Sequence, residues 1–392
     1  MESKDEKFLD DFDEEETVLD VSSRNVQHRL EEEMGKRNGI IDMMRVVYAI
    51  IIVFLHATQC FLENLEIFSI GSLGVDFFFI VSGFLMAQSA LKYHGKSIGT
   101  ETWNFVLSKI GNFMPEAVTA WFIAFIVTES CREYLNIGMV AKDLLQGIWN
   151  IAFLQMTGLS GKTNINGVTW YLSAMILAMF LLFPILIRRR ALFMNLIAPV
   201  VCVFIFGYLC KVYNMVVSPN EWNGLCYKGL LRAIAELSLG CICWSVCQRI
   251  RKLNFTKLGV SALTCMEMFC YALSVYWMWG HRGSKMDFVI VLMIALAVTI
   301  SFSGKSSTYV WFSDERYALF CSRFSLYIYL GHLCWAKHML VIFPSKSESE
   351  LLAIYLFLIM CTVLVIHIFS KMIRWFMRNK WTGIERLFVD VP

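Results

Sequence analysis

Arg45 and His56 stand eleven residues apart in the first apolar stretch of this 392-residue sequence. Eleven residues of α-helix turn through about 1100°, within ~20° of three full turns, and rise about 16 Å. Both side chains therefore project from one helix face, a permanent cation toward one end and an imidazole deep toward the other. A guanidinium is a planar fork suited to phosphate. A neutral imidazole can take a proton from a hydroxyl near neutral pH. One reading of that face is an anion clamp below a general base. The other is structural: Arg45 reaches the headgroup region beside Asp42, one turn earlier, and His56 bonds a neighbouring helix.

The elements that carry these residues follow from composition. The chain is 57% hydrophobic and 17% charged, against about 25% charged for soluble domains. That excludes a disordered chain and argues against a water-soluble enzyme. Thirteen of the 32 acids fall in residues 1–38, leaving 29 bases against 19 acids in residues 39–392. We read residues 1–38 as an acidic, mobile cytoplasmic tail without signal-peptide features, in which VQHRLEEEMGKR could form a short amphipathic helix. Residues 39–376 form an all-α, polytopic membrane domain, and 377–392 a short cytoplasmic tail with no soluble domain attached.

About ten apolar stretches are long enough to span, near 42–61, 71–91, 113–130, 168–187, 192–212, 229–247, 258–279, 287–304, 319–342 and 350–374. The Lys and Arg between them concentrate on the side shared by both termini, which puts both termini in the cytoplasm. In the outer segment 131–167, AKDLLQGIWNIAFLQ reads as an amphipathic helix at the interface or over a cavity. Most of the 13 cysteines lie in apolar runs as small hydrophobes. Cys131 and Cys226 fall in outer loops, as two free thiols or as a bridge. No Cys–His spacing suggests a metal.

Other polar groups at membrane depth need partners or tasks. In GVDFFFIVSGFL, the Ser82-Gly83 step suits close helix packing, and Asp76 caps the first turn. Lys109 and Asn112 share a face ahead of Pro115 and could meet a phosphate or a headgroup, with Glu116 pairing to either. Trp170 fits an aromatic belt, while Asn166 and Ser173 could face an outer acceptor. Arg232 and Glu236, four residues apart, neutralise each other. Tyr329 and His332 lie one turn apart in mid-membrane. A hydrogen-bonded structural role for His332 competes with a catalytic one.

The Arg-x10-His of Arg45 and His56, GVDFFFIVSGFL, WYLSAM with the following FP, and SLYIYLGH occur in an order that resembles the acyltransferase-3 family of membrane O-acyltransferases. The resemblance spans nearly all of residues 39–345. It implies that Arg45 and His56 form the catalytic pair, with acyl-CoA approaching from the cytoplasm, and that Ser82-Gly83 belongs to a recurrent core. Two departures stand out. Where the family often has an Arg-x-x-Arg pair for the CoA phosphates, this chain has Lys109 and Asn112, so the fork geometry is lost. Where a Glu often follows, it has Ala174-Met175.

The expected activity is transfer of an acyl group, acetyl first, from cytoplasmic acetyl-CoA to a hydroxyl of a cell-surface or lipid-linked carbohydrate. Arg45, Lys109 and Asn112 would hold the donor, and Trp170, Ser173, Tyr329 and His332 the acceptor. Partners are membrane lipid, the acyl-CoA and the glycan, with a separate extracytoplasmic transferase as one arrangement; nucleic acid is not among them. The location implied is a bacterial plasma (inner) membrane. Alternatives are a transporter or flippase for a lipid-linked sugar, and an amino-acid-handling module of the same fold.

Overall fold

Asn38 starts the helical bundle. Its side-chain oxygen accepts from the Ile41 amide at 3.2 Å, satisfying a donor that a helix N-terminus otherwise leaves unpaired. Asp42 adds negative charge to the same first turn, where the helix dipole favours it. The computed structural model describes residues 37–388, apart from 65–66, 94–96, 135, 160–164 and 217, with side chains described as far as residue 377. The acidic segment expected to be a tail, with its amphipathic stretch, thus lies outside the described residues except for Arg37 and Asn38.

In chain order the helices are α1 (Gly39–Cys60), α2 (Gly74–Ser89), α3 (Ile98–Ser130), α4 (Ile137–Ile151), α5 (Trp170–Arg188) and α6 (Arg190–Tyr213). They continue with α7 (Lys228–Arg251), α8 (Lys257–Gly280), α9 (Met286–Ser303), α10 (Thr308–Trp311), α11 (Glu315–Gly331), α12 (Leu333–Ile342) and α13 (Glu348–Phe388). Short 3-10 turns lengthen α2 to Gly71–Lys92 and α5 to Gly167–Arg188. Among the described residues, nine helices are long and apolar enough to cross a membrane: α1, α2, α3, α5, α6, α7, α8, α9 and α13. The protein is an all-helical, polytopic membrane protein.

One expected span differs. The stretch 319–342 is two helices joined at His332, neither long enough to cross by itself. The His332 ring donates from Nδ1 to the Ile328 carbonyl at 3.1 Å, which is the acceptor its own amide uses in an uninterrupted helix. Beside the break, a Cβ on Gly331 would lie 2.6 Å from Thr362 of α13, and Trp335 Nε1 donates to the Thr362 hydroxyl at 2.8 Å. Helix α13 continues past 376 to Phe388.

The bundle's centre is the crossing of α2 and α7. A Cβ on Gly83 would lie 2.1 Å from the Leu237 carbonyl oxygen, and one on Gly240 would lie 2.1 Å from that of Ile80. Only glycine permits that approach, so packing is what Ser82-Gly83 and its partner supply. Helices α6, α8 and α13 are largely exposed at the periphery. Helix α4 falls where an amphipathic helix was expected. Leu145 and Ile148 face outward, Gly147 packs on Trp121, and the buried Asp143 pairs with Arg132. Cys131 and Cys226 are free thiols, and burial pushes both up from the usual thiol range.

The crossing generates a prediction. Gly83→Ala should lower the thermal unfolding temperature of detergent-purified protein clearly, because backbone must move. Gly207→Ala on α6, where a Cβ meets nothing within 4 Å, should leave it unchanged or raise it slightly. Equal behaviour of the two variants would contradict the close crossing.

Candidate active site

Two cavities enter the bundle from opposite ends. The first, of 630 Å³, lies at the Arg45 end between α1, α3, α5, α11 and α13. Four arginines line it: Arg37, Arg45, Arg323 and Arg374. Arg45 Nη1 donates to Asp42 Oδ1 at 2.7 Å and to the Ser322 hydroxyl at 3.2 Å. Asp42 also accepts from Arg37 at 3.2 Å. The proximity of Asp42 expected from the sequence is therefore real, and Arg45 still lines the cavity. Arg374 reaches from α13 to Glu116 at 2.6 Å and donates to the Asn112 carbonyl at 3.0 Å. Pro115 has no amide hydrogen for the Gly111 carbonyl, and the cavity wall runs past Gly111 and Asn112 at that point.

The second cavity, of 670 Å³, lies at the other end of α1. His56 and Gln59 line it one turn apart on α1. Trp170 at the start of α5, Tyr329 on α11, Lys337 on α12 and Arg282 after α8 complete its walls. Behind His56, the ring of His332 stacks at 5.3 Å between centroids with a 28° tilt. His332 is fully buried, and its Nε2 has no hydrogen-bond partner among the described residues. Because Nδ1 donates to a carbonyl, the neutral ring leaves Nε2 as a bare lone pair beside His56.

Tyr329 lines both cavities. Its ring closes a triangle with Phe78 at 6.1 Å and Tyr171 at 5.9 Å, and Phe78 and Tyr171 are 6.0 Å apart. The Tyr329 hydroxyl donates to the Val168 carbonyl at 2.9 Å, and that of Tyr171 shares a hydrogen bond with Ser82 at 3.3 Å. Three aromatic rings thus stand at the waist between the arginine cavity and the histidine cavity.

The structure groups His56 with Trp170, Tyr329 and His332, and Arg45 with Asn112. It does not bring Lys109 or Ser173 into either cavity lining. Lys109 lies over the Phe105 ring at 5.2 Å. Ser173 is buried and accepts from the Met156 amide at 3.1 Å, holding the loop after α4 instead of facing an acceptor. Asn166 likewise donates to the Leu330 carbonyl at 3.0 Å. Glu116 pairs with Arg374, not with Lys109 or Asn112. The sequence reading missed Arg37, Arg323 and Arg374 as one group. A partial signal existed, because Leu319, Ser322, Leu326 and Tyr329 recur at helical spacing and mark the cavity face of α11.

Asp76 does more than begin a helix. It accepts from Arg232 Nη2 at 2.9 and 3.0 Å, and Arg232 Nε lies 3.5 Å from Glu236; all three are fully buried. The neutralisation of Arg232 expected from Glu236 alone is shared, with Asp76 the closer partner. The guanidinium also lies 5.6 Å from the Trp170 ring and so underlies the wall of the histidine cavity. Among the described residues, no group of three or more His, Cys, Asp or Glu could hold a metal ion.

The bundle thus carries an arginine and an imidazole three turns apart on one helix, each in its own cavity. The sequence profile of the acyltransferase-3 family, described as an acyltransferase domain, matches residues 38–371, and the chain belongs to that family. It is a multi-pass membrane acyltransferase. No curated protein and no solved structure matches the chain.

The buried ion cluster yields a second prediction. Removing one member of a buried pair leaves an uncompensated charge and costs about 3–5 kcal/mol. Arg232→Ala, which leaves Asp76 and Glu236 buried without their cation, should therefore strongly destabilise the purified protein to heat or denaturant. Lys346→Ala, which breaks an exposed pair with Glu350, should change stability by less than about 1 kcal/mol.

Proposed function

We propose that this protein moves an acetyl group from cytoplasmic acetyl-CoA to a hydroxyl of a cell-surface or lipid-linked carbohydrate, in a bacterial plasma membrane with both termini in the cytoplasm. The observation that carries this reading is the pair of opposed cavities meeting at Tyr329, arginines in one and His56 in the other. The arginine cavity suits the phosphates of a nucleotide, because planar guanidinium groups bind phosphate in bidentate fashion. Arg45, Arg323 and Arg374 take over there from the family's Arg-x-x-Arg pair, which is Lys109 and Asn112 in this chain. An extended pantetheine arm is of about the length that separates Arg45 from His56 along the helix.

The acceptor hydroxyl enters the opposite cavity against Trp170. His56 takes its proton as the oxygen attacks the thioester carbonyl. The new C–O bond forms, the C–S bond breaks, and the imidazolium returns its proton to the CoA thiolate, releasing CoA thiol. For the two cavities to share one reacting carbon, the thioester must reach past the Phe78, Tyr171 and Tyr329 rings, which makes a side-chain movement at Tyr329 part of the cycle. A second reading draws on the same layout. Opposed cavities across a narrow waist also suit a transporter that moves a lipid-linked sugar or an amino acid without chemistry.

Reconstituted protein supplied with acetyl-CoA and an acceptor should release CoA thiol. His56→Ala should lower that rate by about 10²–10⁴, the usual worth of a general base, with unchanged thermal stability. Arg45→Lys should raise the KM for acetyl-CoA, since a fork becomes a point charge. Full turnover by His56→Ala would remove the base assignment. Failure to bind any acyl-CoA would favour transport.

A further inference from the structure

The described residues start at Arg37, in the wall of the arginine cavity. Arg37 lines that cavity and donates to Asp42 in the first turn of α1, so residues 1–36 depart from its rim. The segment and the cavity therefore share one side of the membrane. Residues 1–36 contain thirteen acids and five Lys or Arg. The imbalance is concentrated in residues 8–23, FLDDFDEEETVLDVSS, which hold seven acids and no Lys or Arg.

The cavity has the opposite sign. Arg37, Arg45, Arg323 and Arg374 line it. Among the described residues, the carboxylates paired with them are Asp42, shared by Arg37 and Arg45, and Glu116 on Arg374. All four guanidinium groups stay within reach of a ligand: Arg323 is exposed, and Arg37, Arg45 and Arg374 keep 36%, 21% and 33% of their side chains open to solvent. The guanidinium fork donates to carboxylate as it does to phosphate. A cavity that suits the phosphates of a nucleotide therefore suits a run of aspartates and glutamates as well. Asp20, the last acid of the run, precedes Arg37 by seventeen residues. Fully extended, that length of chain spans about 55–60 Å, ample for the run to return to the rim it departs from.

We infer that residues 8–23 dock at the mouth of the arginine cavity, where their carboxylates occupy the guanidinium groups and exclude other anions. Exclusion of the acyl donor rests on the reading of this cavity as the nucleotide site, whereas the docking itself does not. A short tether holds its far end at a local concentration on the order of 1 mM. If the run binds with a Kd about tenfold below that concentration, the apparent Kd of a competing anion rises about tenfold. The contact joins charges open to solvent, so added salt weakens it.

Two measurements on the full-length protein in nanodiscs test this. In the first, p-benzoylphenylalanine replaces Phe12 within the run, and the crosslinks formed on irradiation are mapped by peptide mass spectrometry. They should fall on the parts of α11 and α13 that carry Arg323 and Arg374, and millimolar pyrophosphate should suppress them. In the second, calorimetry gives the affinity for CoA. A variant with all seven Asp and Glu of the run replaced by Asn and Gln should bind CoA about tenfold more tightly at low salt, with the gap closing at high salt. A synthetic peptide of residues 8–23 added to that variant should raise the apparent Kd for CoA in proportion to its concentration.

Crosslinks confined to lipid or to the Arg188–Arg190 turn overturn the inference, whatever the affinity for CoA, because general repulsion by the acidic segment would then account for any gain. Equal CoA affinity of the variant and the unaltered protein also overturns it. Crosslinks at the cavity that pyrophosphate suppresses, with no CoA bound by either protein, would uphold the docking and remove the donor reading instead.

Discussion

The Arg232 guanidinium is fully enclosed by protein, with the carboxylates of Asp76 and Glu236 beside it. Such a group cannot be left unmatched, because an isolated charge at that depth costs more than a folded protein's whole margin of stability. The match needs α2 and α7 in one register. Gly83 and Gly240 enforce the same register from the other side, by letting the two backbones touch. With those helices fixed, Trp170 lies over the guanidinium and the wall of the histidine cavity is set. One electrostatic requirement thus decides where an aromatic surface stands relative to His56.

The architecture was legible because the lipid environment allows few solutions. Apolar stretches of spanning length must be helices, and all but one of those marked in the sequence are single helices. The exception, 319–342, has the composition of a span. Its break comes from a side chain competing for a main-chain acceptor and from the close approach of α13, neither of which hydropathy records. The Arg45–His56 relation was legible because it depends on one helix alone.

The waist was not legible. Phe78, Tyr171 and Tyr329 come from α2, α5 and α11, and nothing in their local sequence links them. Ser173 misled for a related reason. A small hydroxyl on a cavity helix is as useful for fixing a neighbouring loop as for meeting an acceptor, and only the fold distinguishes the two. The arginines beside Arg45 are scattered over the chain, and nothing in their local sequence links them. Gathered in space, Arg37, Arg323 and Arg374 line one cavity with Arg45.

The ring triangle has an electrical consequence. With water filling both cavities, the barrier between the two aqueous phases narrows to the waist where Phe78, Tyr171 and Tyr329 meet. A larger share of a membrane potential then falls over that waist. Moving one elementary charge across the whole potential is worth about 2.3 kcal/mol per 100 mV. Any cycle that carries a proton from one vestibule to the other would therefore run at a rate set partly by cell voltage, and an energised membrane would bias it in one direction.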